Sequence, residues 1–217
     1  MRRRGALLRA TGVAALCLAE LSTCPNLCGA VDVASVPVAG TGSEVVRERY
    51  EELSYPAQDD VKTMWTFIKD GPGWLTSFTH AAWGSAEEFD FCDRDAPLRI
   101  LLPGCGTGNA LVQAIAGTLA ATKYCPPDRP PWEIVCMDLS SASLSVACQK
   151  AAMLGMDPDD SPHVSFVRKD LLLLDPAVDG VFDLISSTGV LHHLEDPVAG
   201  FRALQGVLRR GGAMEIM

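Results

Sequence analysis

Three glycines within five residues could bring a ligand close to the backbone of this chain. They are Gly104, Gly106 and Gly108, in the stretch LRILLPGCGTGN that runs from Leu98 to Asn109. Because glycine has no Cβ, such a loop can turn sharply and approach a ligand. A helix predicted directly after the loop would add N–H groups that have no partner within the helix. The pattern predicts a binding loop for a nucleotide.

The spacing of these glycines separates two classes of nucleotide. It is Gly-x-Gly-x-Gly, one residue shorter than the Gly-x-Gly-x-x-Gly turn that binds dinucleotides. The next predicted strand ends in IVCMD, and the carboxylate of Asp138 at its tip could accept both hydroxyls of a ribose. Thirty residues separate Gly108 from Asp138 instead of the usual ~20, and the proline-rich stretch at 126–131 accounts for most of the excess. The acid at the strand tip favours a ribose-containing ligand, and the glycine spacing disfavours a nicotinamide dinucleotide.

Three further residues near these motifs could carry acid-base or nucleophilic chemistry. His192 and His193 follow the predicted fourth strand, where a neutral imidazole could take a proton from a hydroxyl or an amine. The alternative is that one histidine orients its loop and the other packs. Cys105 lies inside the glycine loop, but no base stands beside it in the sequence, which favours a packed thiol over a nucleophile. The histidine pair is therefore the candidate for catalysis.

Short apolar runs alternate with helical patterns from Val45 onward, and this alternation is typical of a parallel sheet covered by helices. The predicted strands lie at 99–102, at 133–137, from 163, from 182 and at 213–217. The predicted helices lie at 110–122, at 141–152 with Ser141 as cap, and from Asp196-Pro197 to a closing glycine pair at 211–212, with Phe201, Leu204 and Leu208 on one face. In such sheets, ligands bind beyond the carboxyl ends of the strands, where the glycine loop lies.

Residues 41–97 precede the predicted sheet and are expected to form a helical cap over it. The helical spacing in VVRERYEELSYPAQDDVKTMWTFIKD is broken by Pro56 and is predicted to end at Gly71-Pro72-Gly73. Tyr50 and Tyr55 are expected either to cover the bound nucleotide or only to pack the cap down. The remaining residues, 98–217, form the predicted core domain.

The first forty residues have the composition of a targeting segment. They open with three arginines, contain no acid before Glu20 and carry an apolar stretch from Ala10 to Ala19. That stretch is shorter than the roughly 20 residues needed to span a bilayer, so no membrane span is predicted. A secretory signal, an organellar transit peptide and an uncleaved, disordered terminus all remain open. The predicted location is an organelle or the secretory route, and otherwise the cytoplasm.

The overall composition narrows the possible partners. The chain has 217 residues with 18 basic and 27 acidic side chains and a net charge of −9, which predicts no general binding to nucleic acid. Its 8 cysteines are scattered and lack the Cys-x-x-Cys spacing of a zinc site, so no metal site is predicted. They are interpreted mostly as buried thiols, although Cys24 and Cys28 could form a bridge in an oxidising compartment.

Five ordered motifs resemble those of one enzyme family. GCGTG, MDLS, KDLL, FDLISSTGVLHHLEDP and LRRGGAMEI are similar to the successive motifs of the class I S-adenosylmethionine-dependent methyltransferases, and the similarity runs from about Val45 to Met217. The resemblance implies an α/β fold with a Rossmann-like, doubly wound sheet of order 3-2-1-4-5-7-6. It also implies S-adenosylmethionine as cofactor and a methyl acceptor that the sequence does not identify.

The cofactor-binding positions implied by the resemblance lie at the carboxyl ends of the first four strands. They are Gly104, Cys105, Gly106, Thr107 and Gly108 for the methionine portion, Asp138 for the ribose, Leu139 for the adenine ring, Asp170 and Leu171 for the adenine amino group, and Thr188 and Gly189 for the methionine end. The histidine pair, His192 and His193, lies where the methyl group would point.

Two departures from the family pattern qualify these expectations. Many members carry an acid two residues before the first glycine of the loop, where this chain has Leu102, so one contact to the cofactor's amino group is expected to be missing or replaced. The sequence also ends in the fifth predicted strand, and we expect a truncated chain that lacks the last two strands of the sheet. The alternatives are an inactive cofactor-binding or interaction module and a nicotinamide-dependent oxidoreductase, which the lack of a Tyr-x-x-x-Lys pair disfavours.

Overall fold

The structure is a computed structural model, and it describes residues 48, 50–52, 61–84, 96–123, 125, 131–157, 161 and 163–217, with the backbone alone at 61–63. Four predictions lie outside these residues: the targeting segment at 1–40, the bridge between Cys24 and Cys28, the role of Tyr55 and the break at Pro56. Within the described ranges, no helix is long and apolar enough to cross a bilayer.

Five strands form one parallel sheet in the order β3-β2-β1-β4-β5. Their bounds are Leu98–Pro103 (β1), Trp132–Asp138 (β2), Val164–Arg168 (β3), Phe182–Ser187 (β4) and Leu208–Ile216 (β5). The central strands β1, β2 and β4 are buried along almost their whole length, as expected for a sheet that is covered on both faces. The predicted α/β fold is confirmed, and the observed order is that of the first five strands of the predicted sheet.

Helices cover both faces of this sheet. Their bounds are Val61–Trp83 (α1), Asn109–Ala121 (α2), Ser141–Met153 (α3) and Pro197–Val207 (α4), with short 3-10 turns at Leu171–Leu173 and Leu191–His193. One apolar core joins α1, α2 and α3 to one face of the sheet, and a second joins α4 and the first 3-10 turn to the other face. The sheet is therefore doubly wound, as predicted.

Helix α1 corrects the prediction that the N-terminal helical pattern ends at Gly71-Pro72-Gly73. The helix runs through all three residues to Trp83. A Cβ placed on Gly71 would lie 2.6 Å from the carbonyl oxygen of Gln113 in α2, and one placed on Gly117 would lie 2.6 Å from the carbonyl oxygen of Gly71. The glycines thus allow α1 and α2 to pack backbone against backbone, and this packing stabilises a helix that local propensity alone would end.

Strand β5 corrects the prediction that Gly211-Gly212 closes the last helix and that the strand begins at residue 213. Helix α4 ends at Val207, and β5 already begins at Leu208 and contains both glycines. The register against β4 shifts in this stretch, where Gly211 has a φ of +81° and a Cβ on Gly212 would lie 2.5 Å from the carbonyl oxygen of Asp183. The glycines therefore serve a bulge inside the strand, which the sequence pattern did not distinguish from a turn.

Smaller corrections concern a helix cap, a helix face and two cysteines. Ser140, not Ser141, caps α3 by accepting a hydrogen bond from the N–H of residue 143. On α4, Leu204 is buried as predicted, but Phe201 is 42% exposed and Leu208 belongs to β5. Two described cysteines, at 105 and 136, are buried free thiols as predicted, whereas those at 125 and 148 each take part in a disulfide bond.

Candidate functional site

The glycine loop connects the carboxyl end of β1 to the start of α2. All three predicted glycines have left-handed backbone conformations, with φ of +65° at Gly104, +52° at Gly106 and +88° at Gly108. The N–H groups of Gly104 and Cys105 both donate to the carbonyl oxygen of Met137 in β2, at 2.7 and 3.1 Å. The loop is therefore held against the neighbouring strand in a conformation that only glycine adopts readily.

Neighbouring residues leave no room for a Cβ at Gly104 or at Gly108. A Cβ at Gly104 would overlap Cγ2 of Val190, which follows β4, and a Cβ at Gly108 would lie 2.9 Å from Cα of Ala147 in α3. The loop thus lies between the segment after β4 and the helix after β2. One side of the loop is packed against these residues, so a ligand can reach the loop only from its exposed side.

Asp138 at the tip of β2 ties this loop to the next strand. Its Oδ2 accepts a hydrogen bond from the N–H of Gly106, and its Oδ1 accepts one from the N–H of Ser140, both at 2.9 Å. Burial raises the pKa of the Asp138 carboxyl, and the two N–H groups oppose that rise. A carboxylate has about four lone-pair sites, so each oxygen can still accept a ligand hydroxyl.

The residues predicted to contact adenine lie beside Asp138, but their side chains differ in exposure. Leu139 directly follows Asp138 and is half-buried. Asp170 is almost fully buried, and its Oδ1 caps the following 3-10 turn by accepting from the N–H of Leu172 at 2.9 Å. The side chain of Leu171 lies in the core beside α4, so a role at adenine would fall to its backbone. The binding roles of all three remain predictions.

Two loop side chains predicted at the cofactor point into the protein instead. Cys105 belongs to the core on the α1 side of the sheet, and Thr107 is fully buried. A hydrogen bond with the Cys136 thiol and burial raise the pKa of Cys105 well above its usual range. A thiol in that state is a poor nucleophile, which agrees with the predicted packing role. Any contact of these two residues with a ligand would therefore come from the backbone.

The end of β4 contributes a buried hydroxyl with no hydrogen-bond partner. Ser187 is the last residue of β4 and is fully buried, and its Oγ has no partner in the described part of the chain. Thr188 and Gly189, which follow it, are exposed, and the N–H of Gly189 donates to the carbonyl oxygen of Met217 at 2.8 Å. Since an unpaired buried hydroxyl costs about 1–3 kcal/mol, a polar ligand group or water at this edge would be favourable.

The histidine pair lies in the 3-10 turn beyond β4, on the exposed side of the site. The ring centroids of His192 and His193 are 4.0 Å apart, and both side chains are exposed. The hydroxyl of Tyr50 lies 3.1 Å from Nε2 of His193, with the two rings edge to face. Tyr50 therefore contacts the histidine turn from the N-terminal region, and its expected role in covering a bound nucleotide stays a prediction.

Glu51 is a residue at this edge that the sequence did not identify. Its carboxylate accepts from the N–H and the hydroxyl of Ser141 at 2.9 and 3.1 Å and pairs with Arg168 at 3.1 Å. Partial burial acts to raise the pKa of Glu51, but the hydrogen bonds from Ser141 and Ala142 and the charge of Arg168 together lower it. No local signal could have found this contact, because 90 residues separate Glu51 from Ser141.

Two other acids and a histidine serve structure. Asp196 caps α4 as predicted, accepting from the N–H groups of residues 198 and 199. Asp183, near the start of β4, accepts from the N–H of Arg99 at 2.9 Å and pairs with Arg209 at 3.1 Å, away from the carboxyl edge. His163 stacks on Trp132. Among the residues that the structure describes, no group of three His, Cys, Asp or Glu could hold a metal ion.

The sequence of this chain is similar to a known protein family and to a protein of a cyanobacterium. Residues 103–214, from the end of β1 to β5, match a family described as a methyltransferase domain. An uncharacterized protein of Synechococcus sp. is 35% identical over 139 residues, which make up 62% of this chain and 29% of that protein. The chain thus spans less than a third of that relative.

Two solved structures that are similar to this chain are enzymes with different activities, a cyclase and a methyltransferase. The [4+2]-cyclase SpnF has a TM-score of 0.48 and 21% identity, with 83% of this chain and 62% of that chain covered. The magnesium protoporphyrin IX methyltransferase of Synechocystis PCC 6803, solved with bound S-adenosylmethionine, has a TM-score of 0.48 and 16% identity, with 80% of this chain and 74% of that chain covered.

Proposed function

This chain belongs to a family of methyltransferase domains, and we propose that it transfers a methyl group from S-adenosylmethionine to an acceptor bound beyond the carboxyl ends of the strands. The observation that carries this proposal is the link between the glycine loop and Asp138. The N–H of Gly106 donates to Asp138 at 2.9 Å, and this hydrogen bond holds the carboxylate, our proposed ribose acceptor, beside a loop that a ligand can approach closely.

The residues at this edge fit the cofactor in three respects. The left-handed glycines leave a backbone surface without side chains for the methionine portion. Asp138 keeps lone pairs for the ribose hydroxyls, and Leu139 beside it offers a half-buried apolar surface for the adenine ring. The unpaired hydroxyl of Ser187 fits a polar group of the ligand or an ordered water.

The histidine pair suits an acceptor that loses a proton. When bound, the cofactor supplies an electrophilic methyl group, and a hydroxyl or amine acceptor that takes it must release a proton. A neutral imidazole can accept that proton near neutral pH. The Tyr50 hydroxyl, 3.1 Å from Nε2 of His193, can fix the orientation of that ring. We therefore propose a hydroxyl or amine acceptor, with His192 and His193 facing it.

Calorimetric titration of the full chain with S-adenosylhomocysteine, with NADH as the comparison ligand, tests this proposal. We expect the sulfur nucleotide to bind and NADH to bind far more weakly. Tighter binding of NADH would show that the cofactor is wrongly assigned. Binding of S-adenosylhomocysteine without methyl transfer to any hydroxyl or amine acceptor would support the inactive binding module instead.

We also propose that residues 1–40 direct the chain to an organelle or to the secretory route. The support is the sequence composition alone, with three arginines at the start and no acid before Glu20. Fusion of residues 1–40 to a fluorescent protein should move the fluorescence out of the cytosol. A cytosolic fusion would contradict the proposal.

A further inference from the structure

A carboxylate at the carboxyl edge of the sheet would stabilise the amino acid end of the proposed cofactor. This inference rests on the proposed function, because S-adenosylmethionine and its product both carry an α-ammonium group. An ammonium group that leaves water for a partly buried site is stabilised by a charged acceptor. The question is which carboxylate of this chain can reach that group.

The carboxyl ends of β1, β4 and β5 together contain one acidic residue. Strand β1 ends in Leu102-Pro103 and β4 in Ser186-Ser187, whereas β5 carries Glu215 one residue before its end. Two other acids at this edge, Asp138 and Asp170, already accept hydrogen bonds from backbone N–H groups. Asp138 accepts from the N–H groups of Gly106 and Ser140, and Asp170 caps the 3-10 turn that begins at Leu171.

The register of the sheet places Glu215 in one row with the residue before the loop. Ile100 and Leu101 pair with Leu184 and Ile185, so Leu102 comes next to Ser186, and Ser186 pairs directly with Glu215. Paired residues of parallel strands point to the same face of a sheet. The strands lie roughly 4.8 Å apart, so two strand spacings separate the Glu215 backbone from that of Leu102.

Two hydrogen bonds orient the Glu215 side chain along this row. The hydroxyl of Ser186 donates to Oε2 of Glu215 at 3.1 Å, and Nε1 of Trp74 in α1 donates to the same oxygen at 3.3 Å. The contact with Ser186 draws the half-buried carboxylate over β4, toward β1 and the glycine loop. Both donors use Oε2, which leaves Oε1 available for a cation.

We propose that Glu215 binds the α-ammonium group of the cofactor's amino acid portion. Glu215 lies in the same row as Leu102, whose side chain is apolar, and Ser186 and Trp74 hold its carboxylate in place. Glu215 would therefore determine affinity for the amino acid end of the ligand and leave the adenosine end unaffected. This division of the ligand into two parts makes the proposal testable.

The test compares two ligands in wild type and in Glu215→Gln, by calorimetric titration of the full chain. S-adenosylhomocysteine carries the α-ammonium group, whereas 5′-methylthioadenosine has the same nucleoside and lacks the amino acid. Glutamine still accepts hydrogen bonds from Ser186 and Trp74, so the fold should be preserved. We expect the affinity for S-adenosylhomocysteine to fall by roughly tenfold or more, as for the loss of a charge-assisted hydrogen bond, and that for 5′-methylthioadenosine to stay unchanged.

Glu133→Gln provides the matched control. Glu133 lies near the opposite end of the sheet, where it pairs with Arg99 at 2.9 Å, so its substitution should change neither affinity. If Glu215→Gln lowers both affinities equally, or neither, the inference is overturned while the proposed function stands. If wild type binds neither ligand, the proposed function fails, and this inference fails with it.

Discussion

Replacing Asp138 by alanine separates its expected contact with the ribose from its contact with the glycine loop. In the proposed complex, the carboxylate accepts hydrogen bonds from two ribose hydroxyls. A hydrogen bond to a charged group contributes about 1.5–3 kcal/mol, so Asp138→Ala should weaken binding of S-adenosylhomocysteine by roughly tenfold to a few hundredfold. Asp138→Asn should fall between, because the amide oxygen still accepts one bond and the charge is lost.

The structure changes what we expect for the stability of these variants. From the sequence alone, Asp138 would bind ligand with little effect on folding, but its two oxygens accept from Gly106 and Ser140. Alanine leaves both N–H groups without that acceptor, which lowers the free energy of unfolding. It also removes a carboxylate whose burial is unfavourable, as the raised pKa of Asp138 shows, and this partly offsets the loss. We expect a net loss of about 1–3 kcal/mol in the free energy of unfolding.

Asp183→Asn is the control for this loss of stability. Asp183 is also buried and also accepts a backbone N–H, that of Arg99 at 2.9 Å, but it lies away from the carboxyl edge. Denaturant unfolding should show both variants destabilised, and calorimetry should show weakened binding only for the Asp138 variants. Unchanged affinity in Asp138→Ala, or an equal loss of affinity in Asp183→Asn, would refute the assignment of Asp138 to the ribose.

Three other predictions test the histidine pair, the N-terminal cap and the glycine loop. Changing His192 and His193 together to alanine should lower kcat by roughly a hundredfold and leave cofactor affinity nearly unchanged, measured with an acceptor that wild type methylates. Equal losses of kcat and of cofactor affinity would indicate a packing role. Glu51 has a lowered pKa, so its stabilisation is present above its ordinary value of 4.5 and is lost as the pH falls through the lowered pKa. Glu51→Gln should therefore be less stable than wild type at neutral pH, and the difference should shrink as the pH falls through the lowered pKa. A difference in the free energy of unfolding that does not change with pH would contradict this. Gly104→Ala should lower the free energy of unfolding by at least ~1–2 kcal/mol because the φ of Gly104 is +65°. Gly73→Ala is the control and should be neutral or stabilising, because nothing lies within 4 Å of the new Cβ. Equal effects of the two variants in denaturant unfolding would disprove the steric argument.

The sequence predicted the sheet well because its signals are local. Apolar runs located β1, β2 and β4 to within a residue at each end, and the pair Asp196-Pro197 marked the start of α4 correctly. Gly104, Gly106 and Gly108 have the left-handed conformations for which only glycine is well suited. In each case, the residue type carries the structural information by itself.

The missed features depend on contacts between distant parts of the chain. Gly71-Pro72-Gly73 obeys the local rule for a helix end, and the packing against α2 that overrides this rule cannot be seen in the sequence around it. The same holds for Glu51, whose partners Ser141 and Arg168 are 90 and 117 residues away. The glycine loop could therefore be predicted from the sequence, whereas the extent of α1 and the contacts of Glu51 could not.

The contact between α1 and α2 also constrains how this protein can vary. Gly71 and Gly117 face each other so closely that a side chain on either would force the two helices apart. Once the helices have separated to admit the first methyl group, the second would meet a gap that already exists, so the combined cost in a double-mutant cycle should be less than the sum. The two positions are therefore epistatic: the loss of one glycine relaxes selection on the other, and they are expected to diverge as a pair.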